Sequence, residues 1–305
     1  TSGLFLAMEK WGRMLVDGWW IMKFQTPLNQ IKQFQTTSNN IKPSETNLKN
    51  LEMKKKIVIK IGSSTLTAGT NRISYGKIED LARQITQLRE KYQIIIVSSG
   101  AIATARQVID IHQFKNIDNK QALAAIGQPK LMRIYDEVFE SFGLQVAQCL
   151  LTYHDFEKEA TIENTKNTIH TLLKHEIIPI INENDTVSAE EIIFGDNDKL
   201  SAMVAKIIEA DILFLASDID GVFDKNPHLH TDAQLITKIT NLEEIEKFIE
   251  EKPSKLGTGG MTSKLKAAEI CFENNVEMYI VNGNQNNFIE NALTGNIPCT
   301  HFHKK

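Results

Sequence analysis

Cysteine is scarce in this chain, and the three it has, Cys149, Cys271 and Cys299, stand far apart. That excludes a disulfide framework and a CxxC metal pair, and points to a reducing, cytoplasmic setting. Positive charge is in deficit as well. Against 38 Asp and Glu there are 34 Lys and Arg, a net charge of −4, with no basic stripe interleaved by aromatics. Nucleic-acid binding is therefore not expected. No apolar run approaches the roughly 20 residues of a membrane span, so no membrane partner is expected either. Two familiar phosphate signatures are missing. "KIGSS" and "GTGGMTSK" fit neither the Walker A loop nor G-x-G-x-x-G, because position 262 is Thr. Tryptophan is absent beyond residue 20, and no internal repeat is found.

All three tryptophans, Trp11, Trp19 and Trp20, lie in an N-terminal stretch followed by an Asn-, Gln-, Thr- and Ser-rich run from Gln25 to Asn50. Charges interrupt its apolar part, so it reads as neither a membrane span nor a clean signal peptide. Met53 then opens "MKKKIVIKIG", which looks like a native start. Residues 1–52 read as a fusion, vector-derived or upstream extension, with a membrane-surface or partner-binding helix as the other reading.

From residue 53 onward, apolar runs alternate with helical periods. "KIVIKI", "IIIVSSGA", "QVAQCLL", "IIPIIN", "ILFLAS" and "EMYIVNG" are strand candidates. Ile78, Leu81, Ile85 and Leu88 step by three and four along one helix face. Lys120 to Phe142 reads as helical, with a break or first turn at Pro129. Continuous apolar strands separated by helices signify a mostly parallel sheet covered on both faces. A single domain over 53–305 is expected, a three-layer α/β/α sandwich whose acceptor-binding half ends near residue 200 and whose nucleotide-binding half follows.

In such sheets ligands gather at the carboxyl ends of strands. There the sequence places Lys60 and Gly62; Ser98, Ser99 and Gly100; Asn182 to Asp185; Asp218 and Asp220; and "LGTGGMTSK" opening a helix. Lys60 sits inside an apolar strand, where a buried ammonium needs an anionic partner; a surface lysine on an edge strand is the plain alternative. Lys264 near a helix start opposes the macrodipole, a penalty that a bound phosphate would offset. Two lysines on one phosphoryl group would stabilise charge during transfer, with Asp198 between them to orient both. In "IIFGDNDKLSA", Asp196, Asn197 and Asp198 crowd a helix mouth where one cap residue would suffice. Asp185 and Asn197 can accept from an ammonium, and Ser99 with the N–H groups after it can hold a carboxylate. An amino acid carries both groups. "TVSAEEIIF" resembles a hairpin lid over this cleft.

These blocks, "VIKIGSSTLT", "IIIVSSGAIATAR", "QALAAIGQPKLM", "IIPIINENDTVS", "FGDNDKLSA" and "LGTGGMTSKLKAA", resemble in order and spacing the glutamate 5-kinases of the amino-acid kinase superfamily, from about Lys54 to about Phe302. The resemblance implies ATP-dependent phosphorylation of the γ-carboxylate of L-glutamate, the first step of proline biosynthesis. It implies Lys60, Asp198 and Lys264 as catalytic, and Ser99, Asp185 and Asn197 as glutamate-binding. Lys60, Ser217, Asp218, Thr258, Gly259, Gly260, Met261, Thr262, Ser263 and Lys264 would contact ATP. Mg²⁺ would be carried mainly by ATP phosphates, with no protein metal site. The resemblance further implies a homo-oligomer (dimer or tetramer), feedback by L-proline, and glutamyl-phosphate reductase as functional partner. Ser217 stands where the family commonly has Thr, and the chain leaves no room for the C-terminal PUA domain of many members. His301 and His303 belong to a tail read as solvated rather than metal-binding.

The rivals are a relative with another carboxylate acceptor and a non-catalytic amino-acid or nucleotide sensor. N-acetylglutamate has no ammonium and leaves Asp185 without a purpose. Aspartate differs by one methylene, worth only about 1–3 kcal/mol. A sensor would not need both lysines.

Overall fold

The computed structural model describes residues 54–109, 117–188, 197–225, 227, 229–241, 243 and 260–304. The expectations for residues 1–52, for the 189–194 part of the proposed lid, for Asp196, and for Thr258 and Gly259 lie outside the described residues. The strands are β1 (Lys55–Ile61), β2 (Tyr92–Ser98), β3 (Gln145–Leu151), β4 (Ile177–Glu183), β5 (Ile212–Ser217), the short β6 (Val222–Phe223), β7 (Leu235–Ile236) and β8 (Lys238–Ile239), then β9 (Glu277–Asn282) and β10 (Cys299–Phe302). The helices are α1 (Ser63–Thr67), α2 (Tyr75–Leu88), α3 (Ala101–Ala105), α4 (Ile117–Ser141), α5 (Glu159–Lys174), α6 (Asp198–Ile207), α7 (Gly260–Glu273) and α8 (Phe288–Leu293). A 3₁₀ turn, Tyr153–Phe156, follows β3.

Eight strands form one sheet in the order β3-β4-β2-β1-β5-β9-β10-β8, with β6 and β7 as a separate ribbon. Pairing is parallel except between β9 and β10. Strand β1 is central, with Lys60 opposite Val97 of β2 and Leu215 of β5. The expected three-layer sandwich is thus present, and both parts of the chain contribute to one sheet.

Alternation along β1 divides the core. Ile57, Ile59 and Ile61 pack with the apolar stripe of α2 and with Leu131, Tyr135 and Phe139 of α4. Val58 faces the other way, toward Leu200 and Val204 of α6 and Leu265 and Ala268 of α7. Burying each such aliphatic side chain contributes roughly 1.5–3 kcal/mol. Because side chains alternate with period two, Lys60 falls on the same face as Val58, beneath α6 and α7. Its position on an interior strand removes the edge-strand alternative.

Two sequence expectations are corrected. Helix α4 runs unbroken through Pro129. The ring's fixed φ suits a helix, but the hydrogen bond to the Ala125 carbonyl is forfeited and the ring crowds that oxygen; full burial of Leu123, Leu131, Tyr135 and Phe139 on both sides offsets that cost. The C-terminal tail is not solvated either. Thr300 and Phe302 are fully buried in β10, and His301 stacks on Tyr279 with ring centroids 4.1 Å apart. Among the described residues, no cluster of three His, Cys, Asp or Glu could hold a metal, and no helix is long and apolar enough to cross a membrane.

Candidate active site

The strand ends named by the sequence converge on the start of α6. Asn197 occupies the N-cap position, but its side chain makes no capping bond. It turns back toward the sheet, donating through Nδ2 to Ser98 O (2.9 Å), Asn182 Oδ1 (2.8 Å) and Ser99 Oγ (3.1 Å). The next residue points elsewhere. Asp198 is fully buried; its Oδ1 lies 2.6 Å from Lys60 Nζ and its Oδ2 accepts from Lys264 Nζ at 2.8 Å. Capping therefore does not explain this polar run. Two adjacent side chains of one helix start serve two separate clusters.

The Lys60–Asp198–Lys264 cluster carries two positive charges and one negative, with both lysines also buried. Such a surplus of positive charge is costly away from water unless an anion completes it. Lys264 is the fifth residue of α7, slightly further in than the first turn expected, and its Nζ also approaches Gly260 O at 3.4 Å. Met261 packs against the core on this face, while Thr262 and Ser263 are half-buried.

Glycines set how closely the surrounding backbone approaches. Gly62 follows β1, and its N–H reaches Ala216 O of β5 at 3.4 Å. At Gly283, after β9, a Cβ would lie 2.7 Å from Thr65 Cγ2. Ser217 ends β5, and its Oγ donates to Asp218 Oδ1 at 3.1 Å. The loop from there to Gly221 is fixed by Asn282 Nδ2, which donates to Asp220 Oδ1 at 3.0 Å. Ser217 thus ends the strand next to Lys60 and Asp218 follows it; Ser217 is buried and Asp218 is exposed.

On the other side, Ser99 follows β2 and its N–H bonds Ile61 O at 3.1 Å. Gly100, at φ 106°, then turns the chain into α3. Helix α4 lies directly on α3: a Cβ on Gly127 would fall 1.7 Å from Ala101 O. Beyond β4, Ser188 Oγ donates to Glu183 Oε1 at 2.5 Å, and Asn184 N–H to Leu151 O at 2.8 Å. Asp185 is buried in this turn. Burial, and then the neighbouring Glu183 charge, push its carboxyl up to about 7. Asp185 Oδ1 and Asn197 Oδ1 are both buried without a hydrogen-bond partner among the described residues. A cavity of about 330 Å³ adjoins Asp185, lined also by Gln128, Pro129, Gln148 and Glu183 among others.

The structure brings Lys60, Asp198 and Lys264 into one cluster and Asn197 and Ser99 into another, with Asp185 on the strand end that carries Asn182. Sequence reasoning missed the roles of Asn182, Gln128 and Glu183. Asn182 and Glu183 had a signal, since they begin the polar run closing β4; Gln128 sits within a helix and had none.

The chain is similar to known proteins along most of this framework. Residues 55–282 match the model of the amino acid kinase family. A glutamate 5-kinase of Lactococcus lactis subsp. cremoris (strain SK11) is 41% identical over 263 residues, covering 84% of this chain and 97% of that protein. The glutamate 5-kinase of Clostridium acetobutylicum is 45% identical over 241 residues, 78% of this chain and 90% of the relative. Among solved structures, UMP kinase from Ureaplasma parvum superposes with a TM-score of 0.58 at 20% identity, covering 82% of this chain and 99% of that one; this likeness bears on the fold alone. With the central-strand lysine, the two-cluster helix start and these matches together, the chain belongs to the amino acid kinase family, and within it to the glutamate 5-kinases.

Proposed function

We propose that the chain transfers the γ-phosphoryl group of ATP to the γ-carboxylate of L-glutamate, giving L-glutamyl 5-phosphate and ADP, the first step of proline biosynthesis. One observation carries this reading: of two adjacent residues, Asn197 keeps a buried carbonyl without a partner among the described residues, while Asp198 joins two buried lysines in a cluster of net positive charge.

The glutamate γ-carboxyl group has an ordinary pKa of about 4.3, so at neutral pH the nucleophile carries no proton and no general base is required. This fits an Asp198 held between two cations. A carboxylate oxygen attacks the γ-phosphorus, the bond to the β,γ-bridging oxygen breaks, and ADP leaves with the electron pair. Lys60 and Lys264 neutralise charge spreading over the transferring oxygens, and Asp198 holds both in place. Mg²⁺ accompanies ATP on its phosphates. Ser217, Asp218 and the Thr258–Lys264 segment bind the nucleotide. Asp185 and Asn197 accept from the substrate ammonium, and Ser99 with the turn after it holds the α-carboxylate.

The two open acceptors favour a free amino group over an N-acetylated one. The homo-oligomer, inhibition by L-proline and coupling to glutamyl-phosphate reductase remain part of the same proposal, as does a cytoplasmic setting, which the three free thiols support. The reading of residues 53–305 as one kinase domain with a separate extension is retained with it.

ADP release with Mg-ATP, measured against L-glutamate, L-aspartate, N-acetyl-L-glutamate, carbamate and UMP, tests the assignment. Turnover dependent on glutamate is expected. Turnover with another acceptor alone would keep the lysine cluster and overturn the roles of Asp185 and Asn197; ATP binding without turnover would favour a sensor.

A further inference from the structure

A run of side-chain amides leads away from Asn197 into the body of the fold. Asn197 Nδ2 donates to Asn182 Oδ1 at 2.8 Å, and Asn182 Nδ2 donates to Gln128 Oε1 at 2.8 Å. Gln128 Nε2 in turn approaches Gln148 Oε1 at 3.3 Å. Four amides, from the N-cap of α6, β4, α4 and β3, are thus joined with one polarity, each nitrogen facing the next carbonyl. Hydrogen-bonded dipoles aligned in this way polarise one another. The carbonyl left at the head of the chain, Asn197 Oδ1, is buried and without a partner among the described residues.

The direction is fixed, not arbitrary. Ser98 O can only accept, so Asn197 must turn its NH₂ toward it, at 2.9 Å. The Glu183 N–H can only donate, so Asn182 must turn its carbonyl toward it, also at 2.9 Å. Turning Asn182 over would set its NH₂ against that N–H and against the Asn197 NH₂, three donors with no acceptor. Asn182 is only 1% exposed, so water does not reach it freely and its own NH₂ needs a protein acceptor on the far side. Gln128 supplies it.

We infer that Gln128 is a positioning residue for the amino-group end of the substrate: through Asn182 it holds the Asn197 carbonyl toward the substrate ammonium. The inference rests on the glutamate reading above and adds to it a residue on α4 whose side chain bonds neither Asn197 nor the lysine cluster. Without the Gln128 carbonyl, the Asn182 NH₂ becomes a buried donor without an acceptor and draws Asn182 out of line, loosening Asn197. The aligned dipoles present their negative end to the site, so the loss falls on cationic ligands and spares neutral or anionic groups.

The experiment compares L-glutamate with glutarate, which has both carboxylates and no amino group. Gln128→Met keeps the side-chain volume and removes the carbonyl. It is expected to raise the KM for L-glutamate about tenfold, with kcat and the KM for ATP within twofold and the inhibition constant of glutarate unchanged. Gln128→Glu keeps an oxygen for Asn182 and is expected to restore the glutamate KM to within about threefold of the unsubstituted protein. Equal weakening of glutamate and glutarate, or no change in the glutamate KM, would overturn the inference. Should Gln128→Met not fold, Gln148→Met at an exposed position decides. A shift of about threefold for glutamate alone is expected there, and no shift refutes. An unsubstituted protein without glutamate-dependent ADP release would sink the kinase reading itself, a result distinct from any variant's.

Discussion

Replacing Asp198 by Asn removes one negative charge from a fully buried position while nearly preserving shape. Two ammonium groups, now 2.6 and 2.8 Å from carboxylate oxygens, would face a neutral amide whose NH₂ opposes one of them. Breaking a buried pair by removing one partner typically costs about 3–5 kcal/mol, since the remaining charge has lost its compensation. If that disorder of the lysines appears in the transition state, a value near 4 kcal/mol corresponds to roughly a thousandfold loss of kcat. The nucleotide should respond with the opposite sign. The cluster's net charge rises from one positive to two, so a polyphosphate anion should bind at least as tightly. Steady-state kinetics with glutamate varied, together with calorimetric titration of ADP, separates the two effects. The expected pattern is a collapsed kcat, a nearly unchanged glutamate KM and undiminished ADP affinity. A kcat within tenfold of the unsubstituted protein, or ADP binding weakened in step with kcat, would refute the assignment of Asp198 as organiser of the lysines.

Asp185, with its carboxyl pushed up to about 7, gives two pH effects. The ammonium of glutamate needs the ionised form, so the glutamate KM should rise about tenfold from pH 8 to pH 6, and Asp185→Asn should flatten that profile while raising KM throughout. In the free protein the folded pKa lies above the unfolded one. Stability from this group is therefore full below about pH 4, falls as pH rises toward 7 and is level above, a loss of up to roughly 4 kcal/mol; thermal melts of both proteins at pH 5 and 8 should show it, and parallel curves would contradict it. Gly127→Ala places a methyl group against the Ala101 carbonyl. It should destabilise by roughly 1–3 kcal/mol, with Tm lowered about 2–4 °C for each kcal/mol, and calorimetry showing no change would mean that α4 and α3 separate freely.

Much of this site was legible because its chemistry conflicts with its local pattern. A lysine within "KIVIKIG" contradicts a buried strand, and three polar residues where one cap suffices contradict a simple helix start. Both conflicts resolve at Asp198. Strand periodicity likewise placed the central sheet, because unbroken apolar runs such as "ILFLAS" have few other uses. Other features were hidden for physical reasons. Pro129 ordinarily breaks a helix, and only the tertiary burial of its neighbours lets α4 continue. β10 carries His301 beside buried Thr300 and Phe302, and His303 follows it, so its polarity disguised a strand whose partners are distant in sequence. The Gln128–Asn182 link spans 54 residues and joins a helix to a strand end that the chain reaches only after β3 and α5, which no local spacing announces.

The central claim is direct transfer of a phosphoryl group to the γ-carboxylate. L-glutamate labelled with ¹⁸O in that carboxylate, incubated with the protein, Mg-ATP and hydroxylamine, tests it most directly. Hydroxylamine attacks the acyl carbon of a glutamyl phosphate and expels phosphate with the bridging oxygen. The account requires inorganic phosphate carrying one ¹⁸O per molecule of hydroxamate formed; ADP release with unlabelled phosphate would mean that water, not glutamate, receives the group.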